Sequence, residues 1–446
     1  MGPAEEVEIE PIRTAAGMGW QVPGRKRNGR RWRVGLGLAV FLAALGALTV
    51  WEMYSYLRPV DLSPSSIPSI SSISGPGEWA MSQRAPDRNA FVEFTGAMPA
   101  GRVRWRFDAD GPIHSSPAVV NGSIFLAAGN GRIVSLDAAS GALRWEYLAP
   151  GLGRSSPAVA GHSVFVGLED GRVISLDKDT GGLRWEFNTD KPVLSSPVVY
   201  DEVVYVGSND WRLYALDAET GDKRWSFTAE NSIRSDPAIR APVLAFTDMS
   251  TRLYVLDLSN GGMRLDYRVP ISAEGGPVFH GEHVYVADGG GRVRAVDWTQ
   301  RRLPFERFYV WFRIQLFAWG ITDTLPKQRG FVWFFREGDG EFVTTPVVAW
   351  GNVYAASLSG SLFALDQATG KKVWEFQAQD SFEASPSVVG DVLFAGDSGG
   401  RLYAIDAITG RRRWDVDLGS GITSTPVFAE RVLYATTRDG ILYALE

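Results

Sequence analysis

Few residues of this chain combine the types and the spacing that chemistry requires. His280 and His283 are three positions apart and could hold one metal ion, but the repeat described below places them in a solvated turn, which is the favoured interpretation. The chain has no cysteine, which excludes disulfides, thiol catalysis and Cys-ligated metal centres. No Ser–His–Asp order, paired-carboxylate motif or phosphate-binding glycine loop is evident. We therefore expect no catalytic residue, no metal and no cofactor.

A second candidate site consists of the residues three positions before a proline that recurs along the chain. In a circular repeat fold they would surround one mouth of a central channel, as a ring of His114, Arg154, Leu194, Arg234, Glu274, Val343, Glu383 and Thr423. The charged or titratable members of this channel-mouth ring are His114, Arg154, Arg234, Glu274 and Glu383. Their mixed charge suits a small polar ligand or a loop of a partner protein. The favoured alternative is that they are the solvated ends of strands.

A third candidate is an aromatic insertion at about residues 301–330, where one repeat spans 69 residues instead of 40. The aromatic residues from Phe305 to Trp319 follow a helical spacing of three or four, and both faces of that helix are apolar. The candidate partner-binding residues are Phe305, Phe308, Tyr309, Trp311, Phe312, Arg313, Phe317 and Trp319. Docking of a partner protein is the favoured interpretation. The alternatives are packing against the neighbouring repeat unit and contact with a membrane interface.

A forty-residue repeat must position these candidates. A phrase that ends in Leu-Asp, or a close variant of it, closes at Asp137, Asp177, Asp217, Asp257, Asp297, Asp366, Asp406 and Glu446. A proline recurs with the same spacings, from Pro117 to Pro426. Each unit reads as four short strands joined by tight turns such as Asn130-Gly131, which is the size of one propeller blade. The sequence therefore predicts an all-β fold, an eight-bladed β-propeller of four-stranded blades.

The high tryptophan content belongs to this architecture. One repeat position is occupied by tryptophans that we expect to wedge between neighbouring blades, namely Trp105, Trp145, Trp185, Trp225, Trp374 and Trp414. The last unit ends at Glu446 without a tryptophan strand, whereas the strand around Trp105 precedes the first unit. The N-terminal strand should therefore complete the last blade and close the ring.

The phrase Ala-x-Asp-x-x-Thr-Gly-x-x-x-Trp, present from Ala215 to Trp225, resembles the propeller repeats of quinoprotein alcohol dehydrogenases. The segment around Trp79, Arg84 and Arg88 is similar to the one that opens such propellers. Two branches share this repeat: the enzymes that use pyrroloquinoline quinone (PQQ), and non-enzymatic propellers similar to the lipoprotein subunit of the outer-membrane β-barrel assembly machinery. Resemblance to the enzymes implies a quinone held against a vicinal disulfide, with Ca²⁺ bound by Glu, Asn and Asp. Because the chain lacks cysteine and its propeller is smaller than those enzymes, the non-enzymatic branch is the better match.

A single membrane anchor is expected before the propeller. Residues 34–51 carry no charge, and the apolar stretch extends to residue 57, enough to cross a bilayer at ~1.5 Å per residue. Six Lys or Arg residues lie within 25–33. The positive-inside rule then predicts a cytoplasmic basic tail (1–33), a transmembrane helix (34–57) and an extracytoplasmic propeller (79–446). Residues 58–78 form a Ser- and Pro-rich tether, and a cleaved signal peptide is the alternative to the anchor.

The composition narrows the function further. The net charge of −6 does not suit a nucleic-acid binder. We expect a single-pass cell-membrane protein whose propeller is a non-catalytic interaction scaffold or assembly factor, with protein subunits of a cell-envelope complex as its partners. The alternatives are a membrane-tethered, PQQ-dependent oxidoreductase and a ligand-sensing propeller.

Overall fold

The computed structural model describes residues 78–250, 252–269, 275–301, 306–324, 328–336, 338 and 340–446. The predicted cytoplasmic tail, the transmembrane helix and all but the last residue of the tether lie outside these ranges. No helix within them is long and apolar enough to cross a membrane. The structure therefore covers the predicted propeller domain apart from short gaps.

Eight β-sheets follow one another along the described chain, which confirms the predicted eight-bladed propeller. Neighbouring strands of a blade pair antiparallel in sequence order, and the first strands of adjacent blades contact one another around the centre. Because strand direction alternates, the turns between first and second strands and between third and fourth strands share one face of the ring, here called the lower face. The remaining turns and the links between blades lie on the upper face.

Two short strands precede the first blade, β1 (Phe91–Val92) and β2 (Val103–Asp108). The first blade contains β3 (Ala118–Val120), β4 (Ser123–Ala127), β5 (Arg132–Asp137) and β6 (Leu143–Leu148). The second contains β7 (Ala158–Ala160), β8 (Ser163–Gly167), β9 (Arg172–Asp177) and β10 (Leu183–Asn188). The third contains β11 (Val198–Tyr200), β12 (Val203–Gly207), β13 (Arg212–Asp217) and β14 (Lys223–Thr228). The fourth contains β15 (Ala238–Arg240), β16 (Val243–Asp248), β17 (Arg252–Asp257) and β18 (Met263–Arg268).

The fifth blade contains β19 (Val278–His280), β20 (His283–Asp288), β21 (Arg292–Asp297) and β22 (Phe331–Arg336), with helix α1 (Glu306–Ala318) between β21 and β22. The sixth contains β23 (Val347–Ala349), β24 (Asn352–Ala356), β25 (Ser361–Asp366) and β26 (Lys372–Gln377). The seventh contains β27 (Ser387–Val389), β28 (Val392–Gly396), β29 (Arg401–Asp406) and β30 (Arg412–Asp417), joined by β1. The eighth contains β31 (Val427–Ala429), β32 (Val432–Thr436) and β33 (Ile441–Leu445), with β2 as its fourth strand.

The ring closes through the two ends of the described chain. Strand β2 pairs antiparallel with β33, with Arg106 opposite Tyr443 and Asp108 opposite Ile441. This is the closure that the surplus Trp105 strand predicts. It leaves the last blade without an exposed sheet edge at its third strand.

The Asp-x-x-Thr/Ser-Gly phrase forms the turn after the third strand in the first three blades and in the sixth and seventh blades. In the first blade, Asp137 Oδ1 accepts hydrogen bonds from the Ser140 amide (2.9 Å) and hydroxyl (2.8 Å). The Arg144 guanidinium, 2.7 Å from Asp137 Oδ2, and the Ser140 hydroxyl hold the pKa of Asp137 well below its usual range. Gly141 has a φ of +73°, and a Cβ there would lie 2.7 Å from the Trp105 ring. The turn thus requires glycine both for its backbone and for the neighbouring tryptophan.

The repeated tryptophans join each blade to the next. Each ring lies against the turn glycine of the following blade, and each indole Nε1 that is hydrogen bonded donates to a carbonyl of that blade's turn. These bonds are Trp105 to Ala138 (3.3 Å), Trp145 to Lys178 (2.8 Å), Trp185 to Ala218 (3.0 Å), Trp333 to Gln367 (2.9 Å), Trp374 to Ala407 (3.0 Å) and Trp414 to Pro99 (2.9 Å). The Trp225 ring occupies the same place against Gly261.

The two residues before each repeated proline, which are both serines in the first three blades, have different roles. The first ties strands within a blade, as Ser115 Oγ does when it donates to Ala127 O (2.7 Å). The second connects blades, because its side-chain oxygen accepts from the amide at the same position of the preceding blade. These bonds run from Ser116 N to Ser156 (2.9 Å), Ser156 N to Ser196 (3.0 Å), Ser196 N to Asp236 (2.6 Å), Gly276 N to Thr345 (2.9 Å), Thr345 N to Ser385 (2.9 Å) and Thr425 N to Ser116 (3.1 Å).

The junction between the fourth and fifth blades lacks both the tryptophan hydrogen bond and the side-chain hydrogen bond described above. The tryptophan position of the fourth blade is Leu265, which is buried but has no polar donor. The fifth blade has Gly276 where the others carry a side-chain acceptor, so the amide of Asp236 finds none there. Within the described residues this junction therefore lacks the two recurring bonds, and Tyr267 of the fourth blade is hydrogen bonded to Arg294 of the fifth blade instead.

The steric role of the turn glycines can be measured with a matched pair. We expect Gly221→Ala to lower the free energy of unfolding by about 2–3 kcal/mol, because the backbone has a φ of +79° and the new Cβ would lie 2.8 Å from the Trp185 ring. Gly122→Ala is the control, since its φ is +68° but nothing lies within 4 Å. It should cost only the backbone strain, about 1 kcal/mol. Equal denaturation midpoints for the two variants would contradict the wedge role.

Candidate functional site

The segment before the first blade fills the centre of the ring. Residues 79–92, here called the plug, accept hydrogen bonds from one repeat position of the innermost strands. The backbone donors are Val119 to Trp79 O (2.7 Å), Val159 to Ala80 O (2.8 Å), Ile239 to Pro86 O (2.6 Å), Phe279 to Asp87 O (3.0 Å) and Val388 to Ala90 O (2.9 Å). In the sixth blade the Val348 amide donates to Asn89 Oδ1 (2.9 Å). Since an innermost strand has no further strand to pair with, the plug satisfies its free edge.

A buried arginine fixes the plug to the ring. Arg88 is fully buried, and its guanidinium donates to four main-chain carbonyls, those of Pro237 (2.8 Å), Ser82 (2.7 Å), Ser196 (2.8 Å) and Pro197 (3.2 Å). The Asp236 carboxylate lies 4.0 Å away. Burial lowers the pKa of Arg88, and the charges of Asp236 and Asp87 oppose that shift. The guanidinium therefore links the plug to the third and fourth blades.

The plug enters and leaves the ring at the lower face. Trp79 bridges Val119 in the antiparallel sense, and β3 runs towards the lower face, so the chain at Trp79 runs upward from that face. Strand β1 pairs parallel with β27, which also runs towards the lower face. The plug therefore reverses its direction inside the channel and leaves the upper part of the channel open.

An open cavity of about 170 Å³ remains above the plug. Ser82 and Gln83 of the plug line it, together with the hydroxyl side chains that connect the blades. From the predicted channel-mouth ring, the structure brings together His114, Arg154, Val343, Glu383 and Thr423. Leu194 and Arg234 do not line the cavity, and Glu274 lies outside the described residues.

The charges at the cavity mouth are paired with neighbours. Arg154 Nε lies 3.5 Å from Glu169 Oε1, and Arg438 Nη2 lies 2.5 Å from Glu383 Oε2. Burial, followed by the positive charges of Arg154 and Arg438, lowers the pKa of His114, which favours its neutral form. The mouth therefore carries no strong net charge towards a ligand.

One buried hydrogen-bond acceptor of the cavity has no partner among the described residues. Gln83 is only 3 % exposed, and its Nε2 donates to Thr425 Oγ1 at 2.8 Å. Its Oε1 has no hydrogen-bond partner among the described residues. Together with the hydroxyls, this oxygen lets the cavity bind a small hydrogen-bond donor such as water.

Helix α1 projects from the lower face in the fifth blade. Its large apolar side chains are exposed on more than one side: Tyr309 (57 %), Trp311 (54 %), Phe312 (43 %), Ile314 (41 %), Phe317 (39 %) and, just after the helix, Trp319 (66 %). Arg313 is half-buried. Phe305 and the side chain of Phe308 lie outside the described residues. The structure thus gathers the candidate partner-binding residues that it describes into one exposed aromatic surface.

The remaining sequence candidate is the histidine pair. His280 and His283 lie opposite each other at the hairpin between β19 and β20, and His283 Nδ1 is 3.4 Å from the Tyr285 hydroxyl. Within the described residues, no group of three or more His, Asp or Glu side chains could hold a metal ion. The two histidines flank the turn of Gly281 and Glu282.

Sequence reasoning missed two features of this centre. Trp333 has the inter-blade role in the fifth blade, but the insertion displaces it from the forty-residue spacing; the phrase Phe331-Val-Trp-Phe could have revealed it. The resemblance marks the plug only as the segment that opens such propellers, and no repeat signals its role at the centre. In the sequence Arg88 lies among polar residues such as Arg84, Asp87 and Asn89, so no pattern marks it as buried.

Several solved structures resemble the propeller. BamB from Moraxella catarrhalis has a TM-score of 0.63 and 18 % identity, covering 77 % of this chain and 97 % of that chain. A europium-containing methanol dehydrogenase has a TM-score of 0.67 and 14 % identity, covering 82 % and 90 %. Quinohemoprotein alcohol dehydrogenase from Comamonas testosteroni has a TM-score of 0.66 and 14 % identity, covering 84 % and 81 %. At these identities the likeness shows the fold alone.

Sequence comparison identifies the family. No curated protein matches the chain significantly. The family described as outer membrane protein assembly factor BamB matches residues 95–155, 149–309 and 358–446, which together make up more than half of the chain. The predicted membership in the PQQ-like propeller group is confirmed, and the chain belongs to the family of outer membrane protein assembly factor BamB.

Proposed function

We propose that this chain is a membrane-anchored, extracytoplasmic propeller that acts as a non-catalytic scaffold or assembly factor in a cell-envelope complex. The observation that carries the proposal is the exposed aromatic surface of α1. Membership in a family named for an assembly factor supports it. The apolar stretch at residues 34–57, with the basic tail before it, supports a single membrane span with the N-terminus in the cytoplasm.

The α1 surface suits a protein partner in its composition. Aromatic residues and arginine are enriched at the energetic centres of interfaces, and Trp311, Phe317 and Trp319 are all exposed here. Because apolar side chains project on more than one side of the helix, the fifth blade cannot cover all of them. Large uncovered apolar patches mark interaction sites or promote aggregation. The partner in this proposal is a protein subunit of the envelope complex.

A pull-down of the full chain tests this role. We expect the native protein in detergent to co-purify with discrete, stoichiometric subunits, and the triple variant Trp311→Ser, Phe317→Ser, Trp319→Ser to lose them by about tenfold or more. Each aromatic anchor is worth about 1–3 kcal/mol at an interface. Because these side chains are exposed, the melting temperature should hardly change.

A matched control uses exposed apolar residues far from α1. Trp211, Leu148 and Leu152 are 45 %, 64 % and 45 % exposed and belong to the first three blades. Their replacement by Ser should leave the co-purified subunits in place. A large fall in melting temperature of the α1 variant alone would mean that α1 packs on its own blade, and partner docking would then be abandoned.

A quinoprotein oxidoreductase is the second candidate, because a methanol dehydrogenase and a quinohemoprotein alcohol dehydrogenase share this fold. The central cavity does not fit a cofactor of the PQQ type, a flat polycyclic acid. Its volume of about 170 Å³ is below the ~300–1,000 Å³ of sites for larger organic ligands. The plug closes the channel beneath it, and the lining carboxylates Asp236 and Glu383 have the arginine partners Arg88 and Arg438. The proposed function is therefore non-catalytic.

A further inference from the structure

A ring of hydroxyl groups lines the open cavity above the plug. Its members are the residues directly before the repeated proline in six of the blades, namely Ser116, Ser156, Ser196, Thr345, Ser385 and Thr425. They are here called the hydroxyl ring, and all except Ser385 are at most 7 % exposed. Because buried polar groups need hydrogen-bond partners, the bonds that these hydroxyls make indicate what the cavity can hold.

Each hydroxyl of the ring accepts a hydrogen bond, and its own proton remains available. Five of the oxygens accept from a backbone amide, as Ser156 Oγ does from Ser116 N at 2.9 Å. The sixth, Thr425 Oγ1, accepts from Gln83 Nε2 at 2.8 Å. Within the residues that the structure describes, none of the six donates to a protein acceptor. Since a hydroxyl proton rotates about its C–O bond, the ring can supply six donors to a molecule in the cavity.

The same cavity contains hydrogen-bond acceptors. The Asp236 carboxylate accepts from Ser196 N at 2.6 Å and from Ser82 Oγ at 2.8 Å, which leaves further lone pairs on both of its oxygens. Gln83 contributes its unpartnered Oε1 to the floor, and Glu383 contributes a carboxylate at the mouth. A ligand with several groups that both accept and donate hydrogen bonds matches this lining.

The charges of the described lining are balanced. Each carboxylate or guanidinium that lines the cavity has an ion-pair partner: Asp236 with Arg88, Glu383 with Arg438 and Arg154 with Glu169. A charged ligand would lose its hydration here without meeting an uncompensated charge of opposite sign. Neutral hydroxyl groups lose less hydration energy when they are buried, so the lining favours a neutral ligand.

The size of the cavity limits the ligand. Its volume of about 170 Å³ is far above the ~10–15 Å³ that one water molecule needs. It is below the ~300–1,000 Å³ of sites for larger organic ligands. The cavity therefore suits a compact molecule with a few hydroxyl groups.

We propose that the central cavity is a binding site for a small neutral polyol of about the size of erythritol. Its hydroxyl oxygens would accept from the hydroxyl ring, and its hydroxyl protons would be donated to acceptors such as the Asp236 carboxylate. Displacement of several ordered water molecules by one ligand favours such binding entropically. The site lies on the other face of the propeller from α1, so it goes beyond the proposed function and does not depend on it.

Isothermal titration calorimetry of the full chain, in a detergent without a sugar headgroup, tests the site. Erythritol should bind saturably with a stoichiometry of one, and at least about tenfold more tightly than 1,4-butanediol, which lacks the two inner hydroxyls of the same carbon chain. A site built to bind hydroxyl groups rejects an analogue without them, because its own buried groups then remain unpaired. Glycine and inorganic phosphate, as zwitterionic and anionic probes, should not displace erythritol.

Two pairs of adjacent serines provide matched variants. Ser156→Ala with Ser196→Ala removes two hydroxyls of the ring and should weaken erythritol binding by about tenfold or more. Ser155→Ala with Ser195→Ala is the control, since these fully buried serines bond within their blades and do not line the cavity. The control pair also loses buried hydrogen bonds, but its erythritol affinity should be unchanged.

Several results would overturn the proposal. They are the absence of saturable erythritol binding to the native chain, equal affinities for erythritol and 1,4-butanediol, and tighter binding of glycine or phosphate. An equal loss of affinity in the two serine pairs would also overturn it, because the ligand would then not contact the hydroxyl ring. The comparison of erythritol with 1,4-butanediol uses the native chain, so it decides the question even if a variant does not fold.

Discussion

Deletion of Ile441–Glu446 should open the ring and produce the largest loss of stability expected for this chain. Strand β33 lies between β32 and β2 in the eighth blade, so its removal leaves β2 without its partner. Leu442, Ala444 and Leu445 are fully buried. At about 1.5–3 kcal/mol for each leucine, plus the lost ladder bonds, the cost is about 5 kcal/mol or more. This is comparable with the total stability of about 5–15 kcal/mol of a typical domain, so the unfolding transition should become broad or vanish.

A point substitution separates ring closure from the mere loss of a strand. Arg106→Pro in β2 and Glu146→Pro in β6 occupy equivalent positions of a fourth strand, opposite Tyr443 and Val134. Each substitution removes backbone hydrogen bonds to the neighbouring strand. Only Arg106→Pro weakens the pairing of β2 with β33, which closes the ring. Chemical denaturation should therefore give a clearly lower midpoint for Arg106→Pro. An unchanged midpoint for the truncated chain, or equal midpoints for the two proline variants, would count against strand-swapped closure.

Replacement of Arg88 by Met should release the plug at a cost of about 3–5 kcal/mol. The substitution removes a buried cation and leaves four carbonyls, including those of Ser196 and Pro237, without their donor. The plug would then detach from the inner strands of the third and fourth blades. Limited proteolysis should show cleavage within residues 79–92 under conditions where the native chain is intact, and the denaturation midpoint should fall.

Two further variants keep this experiment decisive. Arg336→Met removes an exposed arginine at the end of the outer strand β22 in the fifth blade and should leave both readouts unchanged. Arg88→Lys retains the charge with fewer donors, so its loss of stability should be intermediate and should reveal the role of Arg88 even if the Met variant does not fold. Native-like protease resistance of a folded Arg88→Met protein would show that the plug does not depend on this side chain.

The blades were predictable because they repeat. A period of forty residues, with Pro117 and Asp137 recurring in register, determines strand number, blade number and the tryptophan wedge. Closure by β2 was predictable because the last unit lacks a tryptophan strand and an additional one, around Trp105, precedes the first unit. Each of these inferences depends on residues whose neighbours lie at a constant sequence distance.

The plug and the cavity were less predictable because their contacts are not periodic. The plug receives hydrogen bonds from backbone amides such as those of Val119 and Phe279, and backbone groups leave no trace in a residue pattern. Five residues of the channel-mouth ring line the cavity, and its charges are paired with residues from other turns, as Glu383 is with Arg438. For α1, the spacing of three or four between aromatic residues, with further apolar residues on the opposite face, predicted a helix that is apolar on two sides. The structure exposes apolar side chains on more than one side.

The junction between the fourth and fifth blades has a mechanical consequence. A closed ring shares an applied load among all its junctions, and the most compliant one yields first. With Leu265 in place of a tryptophan and Gly276 in place of a hydroxyl, this junction lacks the two bonds that recur around the ring. The fifth blade carries α1, so a load applied through that helix acts beside this junction. Among the described residues its resistance depends on apolar packing around Leu265 and on contacts particular to these two blades, such as that between Tyr267 and Arg294.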